Sequence, residues 1–260
     1  VGFLPFNIFR KKRLIKALKK VHDENFLTNS NKIKNIITNN DFLPFYRAVI
    51  ASFSEFNVKL ITIQHGLYTY KKINGDVEGQ YSDINLVFDN FQKEKLQNTL
   101  GFNGSTFIVI NNSNHNNNHS KHKNYQKIIL VGEGWHMQSF KRAYLFFKEI
   151  YKLRHKLKTL PKFKVIYRPH PRERFIFKLL KPLFKLDLTN ISDLIHNDAI
   201  YIGYTSTVLK DVKDKGGLSI QVLSRFSQNT INMQAAGYCS YSVNESDLIT
   251  LLNKNKFFEN

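Results

Sequence analysis

The stretch Lys127-Ile128-Ile129-Leu130-Val131-Gly132-Glu133-Gly134 decides the fold. Its run of branched apolar side chains predicts a buried strand, and the two glycines predict a tight turn at the end of that strand. Residues 139–157 follow with apolar side chains at helical spacing and predict a long helix. A strand, a turn and a helix in this order make up most of a βαβ unit, so we expect a parallel sheet.

The same alternation runs along the rest of the chain. Further strands are predicted over residues 33–37, 58–63, 84–88, 106–110, 163–167, 199–202 and 218–222, and further helices over residues 45–56, 90–100, 174–184, 207–215 and 246–253. This order predicts an α/β fold with two Rossmann-like parallel-sheet domains that face a cleft. The N-terminal domain, residues 1–110, has three or four predicted strands and is expected to be short or truncated. Residues 125–260 are predicted to form a complete C-terminal domain.

An asparagine-rich segment, residues 111–124, separates the two predicted domains. It holds seven Asn and three His among fourteen residues and has no hydrophobic period, which predicts an exposed linker. The histidines, His115, His119 and His122, are the natural candidates for metal ligands. Because no acidic residue or Cys accompanies them, we expect neither a metal nor a cofactor.

The composition is that of a packed globular protein. Of the 260 residues, 42% are hydrophobic and 13% are aromatic, which disfavours a disordered chain. A single cysteine, Cys239, excludes an internal disulfide and favours a reducing compartment. No apolar run approaches the roughly 20 residues that a membrane-spanning helix needs.

The net charge of +19 arises from two segments. Residues 1–20 hold seven Lys and Arg and no acidic residue, and residues 141–185 hold fifteen Lys and Arg against Glu149 and Glu173. Both segments interleave these bases with Leu, Ile and Phe, a pattern that favours an anionic membrane surface as partner. The alternative is a helix with one buried face and one solvated lysine face. No nucleic-acid-binding motif accompanies the charge, so no nucleic-acid partner is expected.

Four polar clusters directly follow predicted strands. They are Gln64-His65-Gly66, Gly132-Glu133-Gly134, Arg168-Pro169-His170-Pro171-Arg172-Glu173 and Gly203-Tyr204-Thr205-Ser206-Thr207. In an open parallel sheet, ligands bind beyond the carboxyl ends of the strands. Each cluster alone is a weak signal, but four at successive strand ends predict a functional site.

The last three clusters together predict a nucleotide-phosphate site in the C-terminal half. Glycines let backbone N–H groups approach a phosphate, arginines donate charge-assisted hydrogen bonds, and hydroxyls at a helix start supply further donors. The prolines hold the backbone around the histidine. The predicted donor-binding residues are Gly132, Gly134, Arg168, His170, Pro171, Arg172, Thr205, Ser206 and Thr207.

Each of these clusters also has a purely structural interpretation. Ser206 or Thr207 suits a helix N-cap, the glycine pair suits a tight turn, and a histidine between prolines suits an ordinary loop. Only the repetition of such clusters at successive strand ends favours function.

Three segments carry a resemblance to a known family. Gln64-His65-Gly66 after a strand, His170-Pro171, and a Ser/Thr cluster about 35 residues later resemble the bacterial capsule and lipooligosaccharide glycosyltransferases. This two-Rossmann-domain (GT-B) group includes sialyltransferases and Kdo transferases, which use CMP-linked sugars. The CDP-glycerol glycerophosphotransferases share the His-Gly and His-Pro pattern, and residues 36–44 are similar to the strand and turn that precede Gln-His-Gly in such proteins.

The resemblance implies a role for each side of the site. His170, with Ser206 and Thr207, would bind the donor phosphate and stabilise the leaving nucleotide. Gln64, His65 and Gly66 would lie on the acceptor side, and His65 would be the general base because imidazole titrates near neutrality. Asp41 and Glu133 are the alternative bases. The candidate catalytic residues are therefore His65, His170, Asp41 and Glu133.

The activity that the resemblance implies is transfer of a sugar from a nucleotide-activated, CMP-linked donor to a bacterial surface glycan. The enzyme would be inverting and metal-independent. Its partners would be the nucleotide-sugar and a glycan or lipid-linked glycan acceptor, and it would be peripheral on the cytoplasmic face of the inner membrane. The acidic pair that the sialyltransferases carry before a Gly is not clearly present. A polyol-phosphate transferase that uses a CDP-polyol, or a degenerate nucleotide-binding protein without catalysis, are the alternatives.

Overall fold

The computed structural model describes Lys16 and residues 34–38, 58–64, 66–69, 82–100, 106–110, 124–133, 140–171, 173, 182–188, 198–224, 227 and 230–253. The chain divides into two compact units. The first comprises Val1–Tyr68 and Lys72–Asn112, and the second comprises Thr69–Lys71 and Ser113–Asn260. Within the second unit, the Thr69 carbonyl accepts a hydrogen bond from the Ile231 N–H at 2.7 Å.

The first unit is built on a four-stranded sheet. Its described elements are β1 (Asn35–Thr38), β2 (Lys59–Ile63), β3 (Ile84–Val87), α1 (Asn90–Leu100) and β4 (Thr106–Val109). The strands lie in the order β1-β2-β3-β4, and each is parallel to its neighbours. Val87, Leu96 and Phe107 form a small core between β3, α1 and β4.

The second unit is built on a five-stranded sheet. Its described elements are β5 (Lys127–Val131), α2 (Phe140–Leu157), β6 (Lys164–Arg168), β7 (Ala199–Gly203), α3 (Val208–Asp214), β8 (Leu218–Leu223), β9 (Tyr241–Asn244) and α4 (Glu245–Asn253). The strand order is β6-β5-β7-β8-β9, again parallel throughout. The order reverses between β5, β6 and β7, as it does in doubly wound sheets.

Both faces of the five-stranded sheet are buried at its central strands, which explains why these strands are continuously apolar. Ile128, Ile129 and Leu130 of β5 are completely buried, as is every residue of β7. One stripe of α2 contributes Phe146 to the same core, and its ring meets the Tyr204 ring edge-on at 6.1 Å between centroids. The core of the second unit therefore reaches the residue that directly follows β7.

The predicted elements agree with the described ones, with two exceptions. The helix predicted over residues 174–184 is wrong at its end, because residues 182 and 183 form a turn and Phe184 leads into an isolated bridge between Leu186 and Tyr167. Strand β9 was not predicted. The predicted helix 45–56, residues 174–181 and the linker residues 111–123 lie outside the described residues, so the linker boundary stays a prediction.

The fold of the described residues includes no helix that is both long enough and apolar enough to cross a membrane.

We expect Phe146→Ala to lower the free energy of unfolding by about 3–5 kcal/mol, because the substitution leaves a cavity against Tyr204. Tyr144→Ala is the matched control, since this ring on the same helix is 60% exposed and its loss should cost less than about 0.5 kcal/mol. Urea unfolding followed by the fluorescence of Trp135, the one tryptophan in the sequence, measures both. Equal losses for the two variants would contradict this packing.

Candidate functional site

Three loops lie at one edge of the second sheet. Strands β5, β6 and β7 are parallel neighbours, so the segments that follow them share the carboxyl end of the sheet. Gly132 and Glu133 follow β5, residues 169–173 follow β6, and residues 204–207 follow β7. The structure therefore brings together three of the four clusters that the sequence singled out.

The Glu133 carboxylate joins the loop after β5 to the loop after β7. Its Oε1 accepts hydrogen bonds from the backbone N–H groups of Tyr204 at 2.8 Å, Thr205 at 2.7 Å and Ser206 at 3.1 Å. Its Oε2 accepts a short hydrogen bond from the Thr205 hydroxyl. One carboxylate thus satisfies three successive backbone donors that the end of a strand would otherwise leave unpaired.

Two opposing effects act on this carboxyl group. Burial raises the pKa of Glu133 because it disfavours the charged form, and the hydrogen bonds from Thr205, Tyr204 and Ser206 oppose that rise. With both oxygens occupied as acceptors, Glu133 anchors the 204–206 loop, a role that the sequence interpretation missed. Its predicted role as an alternative base stays a prediction.

Gly132 packs against the loop after β6. Its N–H donates to the Arg168 carbonyl at 2.7 Å, so this group is already engaged and is not directed at a phosphate. A Cβ at this position would lie 2.5 Å from the His170 backbone nitrogen and 2.6 Å from the Glu173 carboxylate. The glycine is therefore required by close packing between the two loops, which differs from the predicted reason for it.

Glu173 holds the loop after β6 from inside. It is fully buried, and its Oε2 accepts hydrogen bonds from the Tyr167 hydroxyl at 2.8 Å and from the His170 backbone N–H at 2.9 Å. Burial and the neighbouring Glu173 carboxylate raise the pKa of Tyr167 well above its usual value, so this hydroxyl keeps its proton and donates. The backbone direction at His170 is thereby set by a buried carboxylate.

The prediction that Arg168 binds a phosphate is not supported by its position. Its guanidinium Nη1 lies 3.1 Å from Asp187 Oδ2, and both side chains are only 8% exposed. A buried ion pair of this kind is costly to break, because the partner that remains would be an uncompensated charge. The charge of Arg168 is therefore used within the protein, between β6 and the segment 182–188.

The hydroxyl cluster after β7 divides into anchored and available groups. Thr205 donates to Glu133, and Ser206 is buried with its N–H on the same carboxylate. The N–H of Ser206 is thus occupied, and the Ser206 Oγ accepts a long hydrogen bond from the Val208 N–H at 3.4 Å. Thr207 occupies the N-cap position of α3 without a side-chain capping bond and is half-buried. Its hydroxyl is the one of the three that these anchoring bonds leave available.

His170 and Pro171 stand at the rim of this edge. His170 is half-buried and Pro171 is exposed, so the pair borders both the core and solvent. Two of the other predicted donor residues, Gly134 and Arg172, lie outside the described residues. The roles of His170 and Pro171 in donor binding stay predictions.

In the first unit, Gln64 is committed to the fold. Its Nε2 donates to the Gly66 carbonyl at 2.6 Å and to Gln92 Oε1 at 2.8 Å, and its Oε1 accepts from the Phe88 N–H at 3.1 Å. Gln92, fully buried on α1, also accepts from the Tyr68 N–H. The amide pair therefore orders the segment after β2, and the acceptor-side role predicted for Gln64 is not visible in these contacts.

Gly66 lies in open space, since a Cβ there would meet nothing within 4 Å. The two candidate bases of the first unit, His65 and Asp41, lie outside the described residues, as do His115, His119 and His122. Within the part of the chain that the structure describes, no three His, Cys, Asp or Glu side chains group in a way that could hold a metal ion.

Comparison with known proteins identifies the architecture. No family model and no curated protein matches the chain. Among solved structures, it is similar to the UDP-GlcNAc 2-epimerase of Methanocaldococcus jannaschii, solved in complex with UDP-GlcNAc and UDP. The TM-score is 0.56 at 12% identity, and the match covers 94% of this chain and 73% of the epimerase. The chain has a GT-B-type fold.

A second solved structure, a trehalose-6-phosphate synthase from a study of glycosyltransfer with retention, aligns over 93% of this chain and 69% of its own. Its TM-score is 0.43 at 11% identity. A TM-score this low carries no argument about this chain. The two parallel sheets and the similarity to the epimerase confirm the predicted pair of Rossmann-like units in a GT-B-type fold, and an identity of 12% establishes the fold alone.

The sequence did not single out Asp187 in the second unit or Gln92 in the first, and it named Glu173 only as the last member of its cluster. Asp187 and Gln92 lie far along the chain from their partners, and no local pattern marks either of them. Glu173 carries a weak signal, because a carboxylate three residues after His170 can reach back to the backbone N–H of that residue in a tight turn. Ligands of open parallel sheets bind beyond the carboxyl ends of the strands, and the Glu133 and Glu173 carboxylates hold the loops at this edge.

We expect Gly132→Ala to destabilise the protein by about 1–3 kcal/mol, because the new methyl overlaps the backbone of His170 and the Glu173 carboxylate. Gly66→Ala is the matched control and should change stability by less than about 0.5 kcal/mol, since its methyl would enter open space. Urea unfolding of both variants provides the measurement. An unchanged midpoint for Gly132→Ala would mean that the two loops are not in close contact.

For Glu133, we expect the amide variant to be far milder than truncation. Glu133→Gln keeps an oxygen for the three backbone N–H groups and should cost roughly 1 kcal/mol, whereas Glu133→Ala leaves these groups without their acceptor and should cost about 3 kcal/mol or more. The free energies of unfolding of the two variants test this order. A stable Glu133→Gln protein devoid of turnover would instead indicate a base.

Proposed function

We propose that the protein is a glycosyltransferase that moves a sugar from a nucleotide-activated, CMP-linked donor to a bacterial surface glycan. The GT-B-type fold supports this proposal, and the epimerase that shares the fold was solved with UDP-GlcNAc and UDP. The resemblance of Gln64-His65-Gly66, His170-Pro171 and the Ser/Thr cluster to capsule and lipooligosaccharide transferases supports the choice of a CMP-linked donor.

One observation carries the proposal. Glu133 joins the loop after β5 to the loop after β7 by hydrogen bonds, and Gly132 lets the loop after β6 pack closely against the loop after β5. His170 and Thr207 therefore belong to segments with fixed positions at the carboxyl edge of one parallel sheet, where ligands of such sheets bind. A histidine and a hydroxyl that are held on rigid strand ends are suited to a charged leaving group.

The chemistry proposed for this edge is charge stabilisation. As the bond from the anomeric carbon to the phosphate oxygen breaks, the nucleotide leaves with its electron pair and gains negative charge. Protonated His170 and the Thr207 hydroxyl would donate hydrogen bonds to that phosphate, and preorganised donors of this kind lower the barrier without a metal. Arg168 is not part of this proposal, because its charge is paired with Asp187.

On the acceptor side, the proposal assigns the general base to His65, which follows Gln64 in the sequence. Its imidazole would take the proton of the acceptor hydroxyl as that oxygen attacks the anomeric carbon, and the configuration would invert. The acceptor would be a glycan or lipid-linked glycan. The protein would act as a peripheral enzyme at the cytoplasmic face of the inner membrane.

A nucleotide screen tests the proposed donor. We expect CMP or CDP to raise the melting temperature, since a ligand at about 100 times its dissociation constant adds roughly 2.7 kcal/mol to stability. The effect should be lost in His170→Ala and kept in His155→Ala, a matched histidine on the exposed side of α2. Thermal shift with CMP, CDP, UMP, UDP, GDP and ADP measures it.

Each outcome of the screen distinguishes the candidates. Stabilisation by CMP followed by glycosyl transfer from a CMP-sugar supports the proposal, and transfer from a CDP-polyol would replace it with the polyol-phosphate alternative. Preference for UDP or GDP would discard the CMP-linked donor. No response to any nucleotide, with both histidine variants folded, would overturn the transferase.

A further inference from the structure

The outward side of α2 is a continuous basic surface. The helix holds six Lys and Arg against one acidic residue, Glu149. Its exposed positions recur at intervals of three and four, so they share one side of the helix. We call this side the basic face, and its exposed residues are Lys141, Tyr144, Lys148, Tyr151, Lys152, His155 and Lys156.

Two of the four lysines on the basic face have an acidic neighbour among the described residues, and two do not. Glu149 is buried, and its Oε1 lies 3.6 Å from Lys152 Nζ, a weak pair with a half-exposed lysine. Lys156 Nζ contacts Glu245 Oε1 at 2.5 Å. Among the described residues, neither Lys141 nor Lys148 has an acidic partner within ion-pair distance. The basic face therefore presents positive charge directly to solvent.

The segment 182–188 extends this surface with apolar and basic groups. Phe184 is buried beneath it, with the Tyr151 ring edge-on at 6.4 Å and the Arg154 guanidinium 5.4 Å from the centroid of its ring. Leu183, one residue earlier, is 42% exposed, and Lys185, one residue later, is also exposed. An exposed leucine is thus held next to a lysine at the margin of the basic face.

Lysines are crowded beside this segment. The neighbouring Lys164 ammonium group is the main reason that the pKa of Lys185 is lowered, and the charge of Lys127, which also pairs with Asp198 at 2.9 Å, adds a smaller effect. Such crowding is unfavourable for the protein alone and is relieved by a nearby anion. The local field therefore favours a negatively charged partner.

We propose that the basic face, together with Leu183 and Lys185, docks the protein on an anionic lipid surface. Lysines attract the headgroups, while Tyr144 (60% exposed) and Leu183 enter the interface between headgroups and acyl chains. The inference deepens the proposed function and rests on it, because it names the surface that would bring the enzyme to a membrane-linked acceptor.

The composition of the surface favours a membrane over other partners. A second copy of this chain would bring two lysine-rich faces together, and like charges in contact are repulsive. A nucleic acid would use the lysines but would leave Leu183 without a function. Helix α2 is about 27 Å long at 1.5 Å per residue, so its side spans several headgroups in one plane.

Vesicle sedimentation tests the proposal. We expect the full chain to sediment with vesicles of phosphatidylcholine that contain phosphatidylglycerol and not with phosphatidylcholine alone. Replacing Lys141, Lys148 and Lys152 by Gln should lower the partition coefficient about a hundredfold, since each basic residue near an anionic surface contributes about fivefold. The control variant replaces three exposed lysines elsewhere, Lys34, Lys59 and Lys215, and removes the same charge.

The apolar part of the surface has its own variant. Leu183→Ser keeps every charge and should weaken vesicle binding several-fold if the side chain enters the interface. Equal losses in the two triple-lysine variants would show that net charge alone acts and would overturn the proposal. Binding of duplex DNA without sedimentation on vesicles would also overturn it.

The two proposals fail separately. Vesicle binding is measured without nucleotide, and His170→Ala should sediment like the unsubstituted chain. A protein that binds CMP but ignores anionic vesicles would refute the docking surface and leave the transferase intact. A protein that binds vesicles through the basic face but shows no thermal shift with any nucleotide would refute the transferase proposal alone.

Discussion

The hydrogen bonds that Glu133 accepts are the interaction on which the candidate site depends. They join a residue at the end of β5 to three backbone N–H groups about 72 residues later, directly after β7. Gly132, its neighbour, gives the loop after β6 room to pack close, and Glu173 fixes that loop from inside. Glu133, Glu173 and the glycine at position 132 thus hold the loops after three strands in a single arrangement, and the apolar core packs against Tyr204 in one of these loops.

This arrangement changes how donor recognition would operate. Backbone N–H groups at a strand-to-helix turn usually serve an anion, and here the protein provides that anion itself through Glu133. Under the proposed function, recognition of a phosphate would depend on side chains, and the charge of Arg168 is already paired with Asp187. His170 and Thr207 remain as the described groups suited to the task. A site of this kind is rigid before any ligand arrives, which reduces the entropy lost on binding.

The fold could be predicted from the sequence because apolar residues recur at different intervals in strands and in helices. Residues 127–131 show the pattern of a buried strand, and residues 139–157 show that of a helix. The edge where the clusters meet followed from parallel topology alone. The role of each side chain at this edge could not be predicted from the sequence. Arg168 and Gln64 have the chemistry of ligand-binding residues, and only their partners, Asp187 and Gln92, show that they are used internally. Those partners are distant in sequence and carry no pattern. Strand β9 is short and half-exposed, so its apolar signal was weak.

The reach of Glu133 also has an evolutionary consequence. Exchange of the segment from β7 onward between related genes would transfer the N–H groups of residues 204–206 without Glu133, the acceptor that they have among the described residues. A recipient lacking a carboxylate at the position of Glu133 would receive a loop with three unsatisfied donors. Residue 133 and this loop should therefore be inherited together, although α2, β6 and β7 lie between them in the sequence.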